Sequence, residues 1–206
     1  MKFTYYGHAC FSVQSNGKTL LFDPFITPNE LAQHIQIDSI KPDFILISHG
    51  HSDHLLDAAA IAERTGATMI GSWEVMSWFE KKGIKNVHPM NTGGSRQFDF
   101  GIVKCVNAIH SSSLPDGTYG GNPLGFVITN TEGSFYYAGD TALTLDMQMI
   151  GEEFTLNFAI LPLGDNFTMG IHDAVRCSNL INCTKIIGVH YDTFGYIKID
   201  HEKAIQ

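Results

Sequence analysis

Apolar and polar positions in the first 50 residues predict a small group of strands. Three strand-like runs follow one another, KFTYYG, ACFSVQ and TLLFDPF, and the polar segment SNGK separates the last two. A turn of this kind between strands predicts an antiparallel hairpin or meander. The continuous apolar run over 43–48 is typical of a buried strand.

Helices and strands alternate after this point. Helical spacing over 55–65 ends at Gly66, and a short strand (67–71) and a helix (73–82) follow. Residues 95–139 are rich in strand-like runs. The remaining predicted elements are a helix over 143–151, a strand over 157–163, a helix over 171–182 and a strand over 185–190. This order predicts an α/β protein in which two sheets pack together with helices outside.

Histidine and aspartate residues follow the predicted strands. The segment HGHSDH places three histidines and an aspartate within residues 49–54, directly behind an apolar run. Three later strands end at His110, Asp140 and His190. Each buried polar group needs a hydrogen-bond or metal partner. Strand ends commonly meet at one cleft in layered α/β proteins. Imidazole nitrogen and carboxylate oxygen suit zinc, manganese or iron, so this pattern predicts a metal site without thiolate ligands.

The spacing within HGHSDH suits two metal ions. A tight loop can direct His49 and His51 towards one ion, while Asp53 and His54 at the start of the next helix reach a second. Asp140 can then bridge both. Two ions roughly 3.5–4 Å apart would share a water molecule, lower its pKa and polarise the bond to be cleaved.

Composition restricts the class of protein further. The 206 residues are 44% hydrophobic and 17% charged, which predicts one globular domain over 1–206. Because the chain ends just inside a predicted helix, we expect it to be shorter than its relatives. The formal charge of −8 makes nucleic acid a poor partner. No apolar stretch approaches the roughly 18 residues that span a bilayer, so no membrane association is expected.

The four cysteines are scattered along the chain without a Cys-x-x-Cys pair. This arrangement favours reduced thiols and a cytoplasmic location, although a disulfide between Cys177 and Cys183 is an alternative.

The motifs resemble those of the metallo-β-lactamase superfamily. HGHSDH matches its His-x-His-x-Asp-His motif, and AIHSSS, YAGDTAL and GVHYDTF follow in the order of that family. The segments YYGHACF, LLFDPF, MNTGGS, TLDMQMIGE and DNFTMG are similar to bacterial metal-dependent hydrolases related to ascorbate-6-phosphate lactonase. The resemblance covers essentially the whole chain. It implies an αββα sandwich, with two mixed sheets packed face to face and helices outside.

The resemblance also implies roles for individual residues. Two sets of three residues would each hold one ion, and one carboxylate would bridge the two ions. The first set is His49, His51 and His110, the second is Asp53, His54 and His190, and the bridging carboxylate is Asp140. Asp53 is also the expected catalytic proton shuttle, with His172 as the alternative. Further polar residues are expected to support the ligands or contact substrate: His8, Asp23, Asn91, Asp165, Asn166, Thr168, His172 and Tyr191. Asp23 would support the ligands from behind.

These observations predict a hydrolase in which a hydroxide shared by two divalent ions attacks an ester-like bond. Zinc is expected, with manganese as the alternative. The substrate is expected to be a small lactone or carboxylic ester. A small-molecule phosphodiesterase and a non-catalytic metal-binding module are alternatives, while a di-iron oxidoreductase would need a glutamate where this chain has His51. The relatives also suggest a homo-oligomer.

Overall fold

The computed structural model describes residues 1–205 and places two six-stranded sheets at the centre of the molecule. The first sheet contains the strands in chain order: β1 Lys2–Gly7, β2 Cys10–Ser15, β3 Lys18–Phe22, β4 Phe44–Leu46, β5 Thr68–Ser72 and β6 Val87–Met90. The pairs from β1 to β3 are antiparallel, and those from β3 to β6 are parallel. The predicted meander is therefore one half of this mixed sheet.

The second sheet repeats the plan. Its strands are β7 Ser95–Phe98, β8 Gly101–Asn107, β9 Leu124–Asn130, β10 Gly133–Tyr137, β11 Phe158–Pro162 and β12 Ile186–Val189. The pairs from β7 to β10 are antiparallel, and those from β10 to β12 are parallel. Both halves thus consist of an antiparallel part followed by parallel strands.

Helices cover the outer face of each sheet. They are α1 Ser52–Leu55, α2 Ala58–Thr65, α3 Trp73–Lys81, α4 Asp146–Glu153, α5 Ile171–Leu180 and α6 His201–Ile205. Short 3-10 helices occur at Glu30–Ala32, Ile37–Ser39 and Gly195–Ile197. The described residues contain no helix long and apolar enough to cross a membrane.

The helix predicted over 55–65 ends before Gly66 as expected, but its predicted start is wrong, because a turn at Leu56 and Asp57 separates α1 from α2. The Asp57 carboxylate accepts hydrogen bonds from the backbone N–H groups of Ile26 (2.6 Å) and Thr27 (2.9 Å). The Asp57 N–H donates to Pro24 O at 3.1 Å. These bonds hold the loop after β3 against the start of α2 and replace the continuous helix that the apolar spacing suggested.

Alternation along the strands produces three apolar layers. On β3, Leu20 and Phe22 face the second sheet while Leu21 faces the helices outside. On β10, Tyr137 packs between the sheets and Tyr136 packs against the outer helices. Period-two alternation has this effect wherever both faces of a sheet are covered. The αββα sandwich expected from the sequence is confirmed.

The four cysteines are buried and none forms a disulfide. The alternative of a Cys177–Cys183 bridge is therefore not what the structure contains.

Candidate metal centre

The polar residues that follow the strands of both sheets form one cluster. Ligand atoms lie within 4.8 Å of one another in three overlapping groups: His49, His51 and His110; His49, His54 and Asp140; and His8, Asp53, His54 and His190. All seven residues predicted as metal ligands are in these groups. His8 joins them as an eighth member.

Asp140 lies at the centre of the cluster. Its Oδ2 atom is 2.9 Å from His190 Nε2, 3.3 Å from His54 Nε2, 3.7 Å from His110 Nε2 and 4.0 Å from His49 Nε2. One carboxylate oxygen therefore faces ligands from both expected ion sites. This is the position that a bridging ligand would need.

Gly139 explains how the chain brings Asp140 to this position. Its φ angle is 63°, in the left-handed region that favours glycine. A Cβ atom at this position would lie 2.7 Å from Leu124 O and 3.1 Å from Ser48 Cβ. The turn after β10 can thus pass close to the segment that leads to His49 only because the residue has no side chain.

Asp23 supports two of the histidines from behind the cluster. Its carboxylate accepts bonds from Ser48 N (2.7 Å), Ser48 Oγ (2.5 Å), Tyr137 Oη (2.6 Å) and His54 Nδ1 (2.8 Å). Because a carboxylate only accepts, the proton of His54 is on Nδ1, and Nε2 faces the cluster. The predicted position of Asp23 behind the ligands agrees with this geometry.

Ser48 extends the effect of Asp23 to His49. The Ser48 hydroxyl donates to Asp23 and lies 3.0 Å from His49 Nδ1. Since that hydroxyl proton is already used, Ser48 accepts from His49 Nδ1–H, and His49 Nε2 faces the cluster. One buried carboxylate therefore sets the tautomer of both histidines, directly and through Ser48.

Burial controls the protonation of four histidines of the cluster: His8, His49, His51 and His110. It lowers the pKa of His51 and His110, lowers that of His49 well below its ordinary value and lowers that of His8 to about 4. Neutral imidazoles have a lone pair available for a metal ion.

The pKa of His54 is shifted in the opposite direction. Burial opposes charge on His54, but the nearby carboxylates of Asp140, Asp53 and Asp23 outweigh it and raise the His54 pKa well above its ordinary value. Burial also opposes charge on the two carboxylates of the cluster, yet His54 and its neighbours hold the pKa values of Asp53 and Asp140 below the usual range. The centre thus keeps two ionised carboxylates among histidines.

Four buried atoms in this centre lack hydrogen-bond partners among the described residues. They are His54 Nε2, His190 Nδ1, His190 Nε2 and Asp140 Oδ1. Buried polar side-chain atoms are normally paired, so four unpaired ones in a single cluster require an explanation. Imidazole nitrogen and carboxylate oxygen are donor atoms that zinc and manganese accept. The residues present therefore fit a divalent metal ion.

The other predicted residues lie in different surroundings. Asp165 and Asn166 are exposed in the loop after β11, and the half-buried Thr168 bonds within that loop. His172 is 86% exposed and lines a separate cleft of about 510 Å³ on the side of α5. The exposed Asn91 bonds to Thr92 N. Their roles as substrate contacts stay predictions.

Tyr191 directly follows His190, and its ring stacks on Tyr5 with 6.5 Å between the centroids. Its predicted role also stays a prediction. Two supporting residues were missed in the sequence, Ser48 and Tyr137, which both bond to Asp23. Ser48 precedes His49 and could have been suspected, whereas nothing near Tyr137 in the sequence pointed to Asp23.

Comparison with known proteins identifies the family. Residues 2–190 match a family model described as the beta-lactamase superfamily domain. The chain belongs to the β-lactamase superfamily. The metallo-enzyme resemblance expected from HGHSDH is thereby confirmed at the level of the superfamily.

Members of the superfamily with similar sequences cover nearly all of the chain. A UPF0173 metal-dependent hydrolase of Flavobacterium johnsoniae is 54% identical over 206 residues, which are 100% of this chain and 91% of the relative. Another, of Methylacidiphilum infernorum, is 52% identical over 204 residues, 99% of this chain and 90% of the relative. The chain thus also belongs to the UPF0173 family.

A solved structure of the superfamily has the same fold. The metallo hydrolase of the hyperthermophilic archaeon Ignicoccus hospitalis superimposes with a TM-score of 0.88 at 34% identity, over 98% of this chain and 87% of that one. These three names do not mention a lactone, so the likeness to the lactonase branch stays a prediction.

Proposed function

We propose that this protein is a metal-dependent hydrolase, as its relatives are named, and that it cleaves a lactone or carboxylic ester in a small molecule. The observation that carries the proposal is the set of buried, unpaired donor atoms in the cluster: His54 Nε2, both ring nitrogens of His190 and Asp140 Oδ1. Divalent cations bound in the cluster would give such nitrogen and oxygen donors the partners they lack.

We assign two ions to the centre. His49, His51 and His110 would hold the first, and Asp53, His54 and His190 the second, with Asp140 between them. The mutual distances below 4.8 Å within each group, and the central position of Asp140, support this assignment. Zinc is the ion we propose because nitrogen donors predominate, and manganese is the alternative.

Residues behind the cluster hold the proposed ligands in position for the ions. When bound, the ions would polarise a carbonyl oxygen and lower the pKa of water beside it. Asp23 holds the His54 ring, and Ser48 holds the His49 ring, so their ligand atoms need no reorientation.

Asp53 is the carboxylate that we propose as the proton acceptor and donor during turnover. Its side chain is 26% exposed, whereas the Asp140 side chain is 3% exposed. A group that exchanges protons with substrate must be reachable from the cleft, and Asp53 meets this condition. His8 lies on one of its oxygens, Oδ2. Burial opposes charge on Asp53, but the nearby His54 and His8 outweigh it and hold the pKa of Asp53 below its usual range.

The acidic chain supports a small-molecule substrate over a nucleic acid. The formal charge is −8, and a polyphosphate backbone would be repelled by such a surface.

Initial hydrolysis rates on a matched substrate panel test the proposal. The panel would contain lactones, carboxylic esters and phosphodiesters. The protein would be freed of metal with a chelator and reloaded with zinc or manganese. We expect hydrolysis of lactones or esters by the loaded protein and a loss of at least about 100-fold without metal. His51→Ala should show the same loss, because it removes a ligand that no neighbour replaces.

His34→Ala is the matched control, since His34 is an exposed histidine outside the cluster. It should keep the rate of the unmodified protein. Cleavage of phosphodiesters alone would contradict the proposed substrate class. Equal rates with and without metal would contradict the mechanism, and no hydrolysis by protein that binds metal would favour the non-catalytic alternative.

A further inference from the structure

His8 is a buried residue in an unfavourable backbone conformation. Its φ angle is 53°, and its side chain is fully buried. The left-handed region is unfavourable for a residue that has a Cβ atom. A glycine would make the same turn without that cost. The turn alone therefore does not account for an imidazole at this position, and its ring must do something that offsets the strain.

Two hydrogen bonds fix the backbone of His8 beside the metal centre. Its carbonyl oxygen accepts from His190 N at 2.8 Å and from Tyr5 Oη at 2.9 Å. The rings of His8 and His190 lie 4.2 Å apart between centroids. The turn between β1 and β2 is thus held against the residue that follows β12.

Both nitrogens of the His8 ring are engaged. Nε2 lies 3.0 Å from Asp53 Oδ2, and Nδ1 lies 2.9 Å from Thr193 Oγ1. A carboxylate can only accept, whereas a hydroxyl can donate or accept. A neutral imidazole must therefore have its N–H on Nε2, towards Asp53. The single hydroxyl proton of Thr193 then goes to Nδ1 at 2.9 Å in preference to its other acceptor, Tyr191 O, at 3.3 Å.

We propose that His8 is a positioning residue for Asp53. Its Nε2–H holds Oδ2 of that carboxylate, which orients Asp53 towards the second ion, and the Thr193 hydroxyl holds the other side of the ring through Nδ1. The inference rests on the proposed metal site. His54 Nε2 and His190 Nε2 have no partner and face the centre, which is expected of ligands. The two engaged nitrogens of His8 are expected of a residue that acts through Asp53.

Metal binding without any substrate tests this role. Metal-free wild type, His8→Leu and His8→Gln would be titrated with zinc in a calorimeter, and bound zinc would be counted by elemental analysis. The Gln side chain can present an amide N–H near the position of Nε2. We expect all three proteins to bind the same number of ions. One of the two ions, the one held by Asp53, should lose roughly 10–100-fold in affinity in His8→Leu, and His8→Gln should regain most of it.

Thr193 provides a second, milder pair of variants. Thr193→Val removes the hydroxyl that holds the His8 ring at Nδ1 and should weaken the same ion, while Thr193→Ser keeps the hydroxyl and should bind as the wild type does. This pair decides the question if His8→Leu does not fold.

Loss of one ion in both His8 variants would overturn the proposal, because His8 would then be a ligand itself. Unchanged affinity in His8→Leu, or equal affinities of Thr193→Val and Thr193→Ser, would also overturn it. If the wild type binds no divalent ion, the proposed function fails together with this inference. If the wild type binds its ions and the variants match it, only the inference about His8 fails.

Discussion

Asp23 is a buried charge whose partners are all donors. Both of its oxygens accept hydrogen bonds, and through Ser48 it also determines the tautomer of His49. Because the whole arrangement depends on an acceptor-only group, an isosteric amide cannot replace it. An Asn at this position would present an N–H group to a residue that also donates.

We expect Asp23→Asn to lower the free energy of unfolding by about 3 kcal/mol, since a buried charged hydrogen-bond network loses one partner. It should also weaken metal binding by roughly 10–100-fold. Urea unfolding and calorimetric zinc titration would measure the two effects. Asp38→Asn is the control, because the Asp38 side chain is 90% exposed, and it should change neither quantity. Equal stability of the two variants would contradict this account of Asp23.

For single residues, the sequence predicted the candidate metal ligands better than the residues that hydrogen-bond behind them. The seven candidate ligands have a dense motif or follow an apolar strand, and both signals are local. Tyr137 lies 114 positions from Asp23 in the sequence. Alternation of side chains along the strand gives the face on which Tyr137 lies, but it does not identify Asp23 as its hydrogen-bond partner. The substrate contacts were predicted from the family resemblance and from strand order, which place a loop at an edge without giving the direction of its side chains.

Among the elements, the turn between β10 and Asp140 makes a close approach to the backbone of a neighbouring strand. Gly139 lies against Leu124 O of β9 and against Ser48, which follows β4 of the other sheet. Gly66 ends α2 with a similar φ of 73°, but a Cβ atom placed there would meet nothing within 4 Å. A comparison of Gly139 with Gly66 therefore separates the effect of the left-handed conformation on stability from the effect of close packing.

Gly139→Ala should lower the free energy of unfolding by about 3 kcal/mol, because left-handed strain and overpacking add. Gly66→Ala should lower it by about 1 kcal/mol, through strain alone. Chemical denaturation of both variants measures the difference. If Gly139→Ala were no less stable than Gly66→Ala, the close packing of the turn would not be a source of constraint.

The order of elements was predictable, but their boundaries depended on distant residues. The strand expected over 67–71 is β5 and the helix expected over 73–82 is α3, each within one residue or so at its ends. The helix expected over 55–65 is divided because Asp57 bonds to the loop at Ile26 and Thr27. Apolar spacing has no information about such a bond.

For the whole molecule, the neutral histidines make stability depend on pH. Burial lowers the pKa of His8 to about 4 from an ordinary value of 6.5, and it also lowers the pKa values of His49, His51 and His110. The unfolded chain therefore binds more protons than the folded chain below pH 6.5, so stability falls as pH falls through this window. His54, whose pKa is raised, has the opposite sign.

The stabilisation from His54 is lost as pH rises above 6.5 and changes little below that value, whereas the four lowered pKa values act below it. We therefore expect the metal-free protein to unfold at a lower temperature at about pH 4.5 than at about pH 6.5. Thermal unfolding followed by circular dichroism, with a chelator present, measures this change. The zinc-loaded protein at the higher pH is the comparison, and it should unfold at the highest temperature, since ions bind only the folded centre. A midpoint that rises on acidification would show that His54 dominates instead.

The hydrogen bond between His8 and Thr193 joins residues 185 positions apart in the chain. During synthesis the ribosome releases His8 at the beginning and His190, the last of the proposed ligands, near the end. An ion that meets the nascent chain early can find only the histidines near its start, whereas the complete cluster exists only after β12 has joined its sheet. We therefore expect tight metal capture to be a late event in the life of each molecule, one that marks a chain whose two halves have already come together.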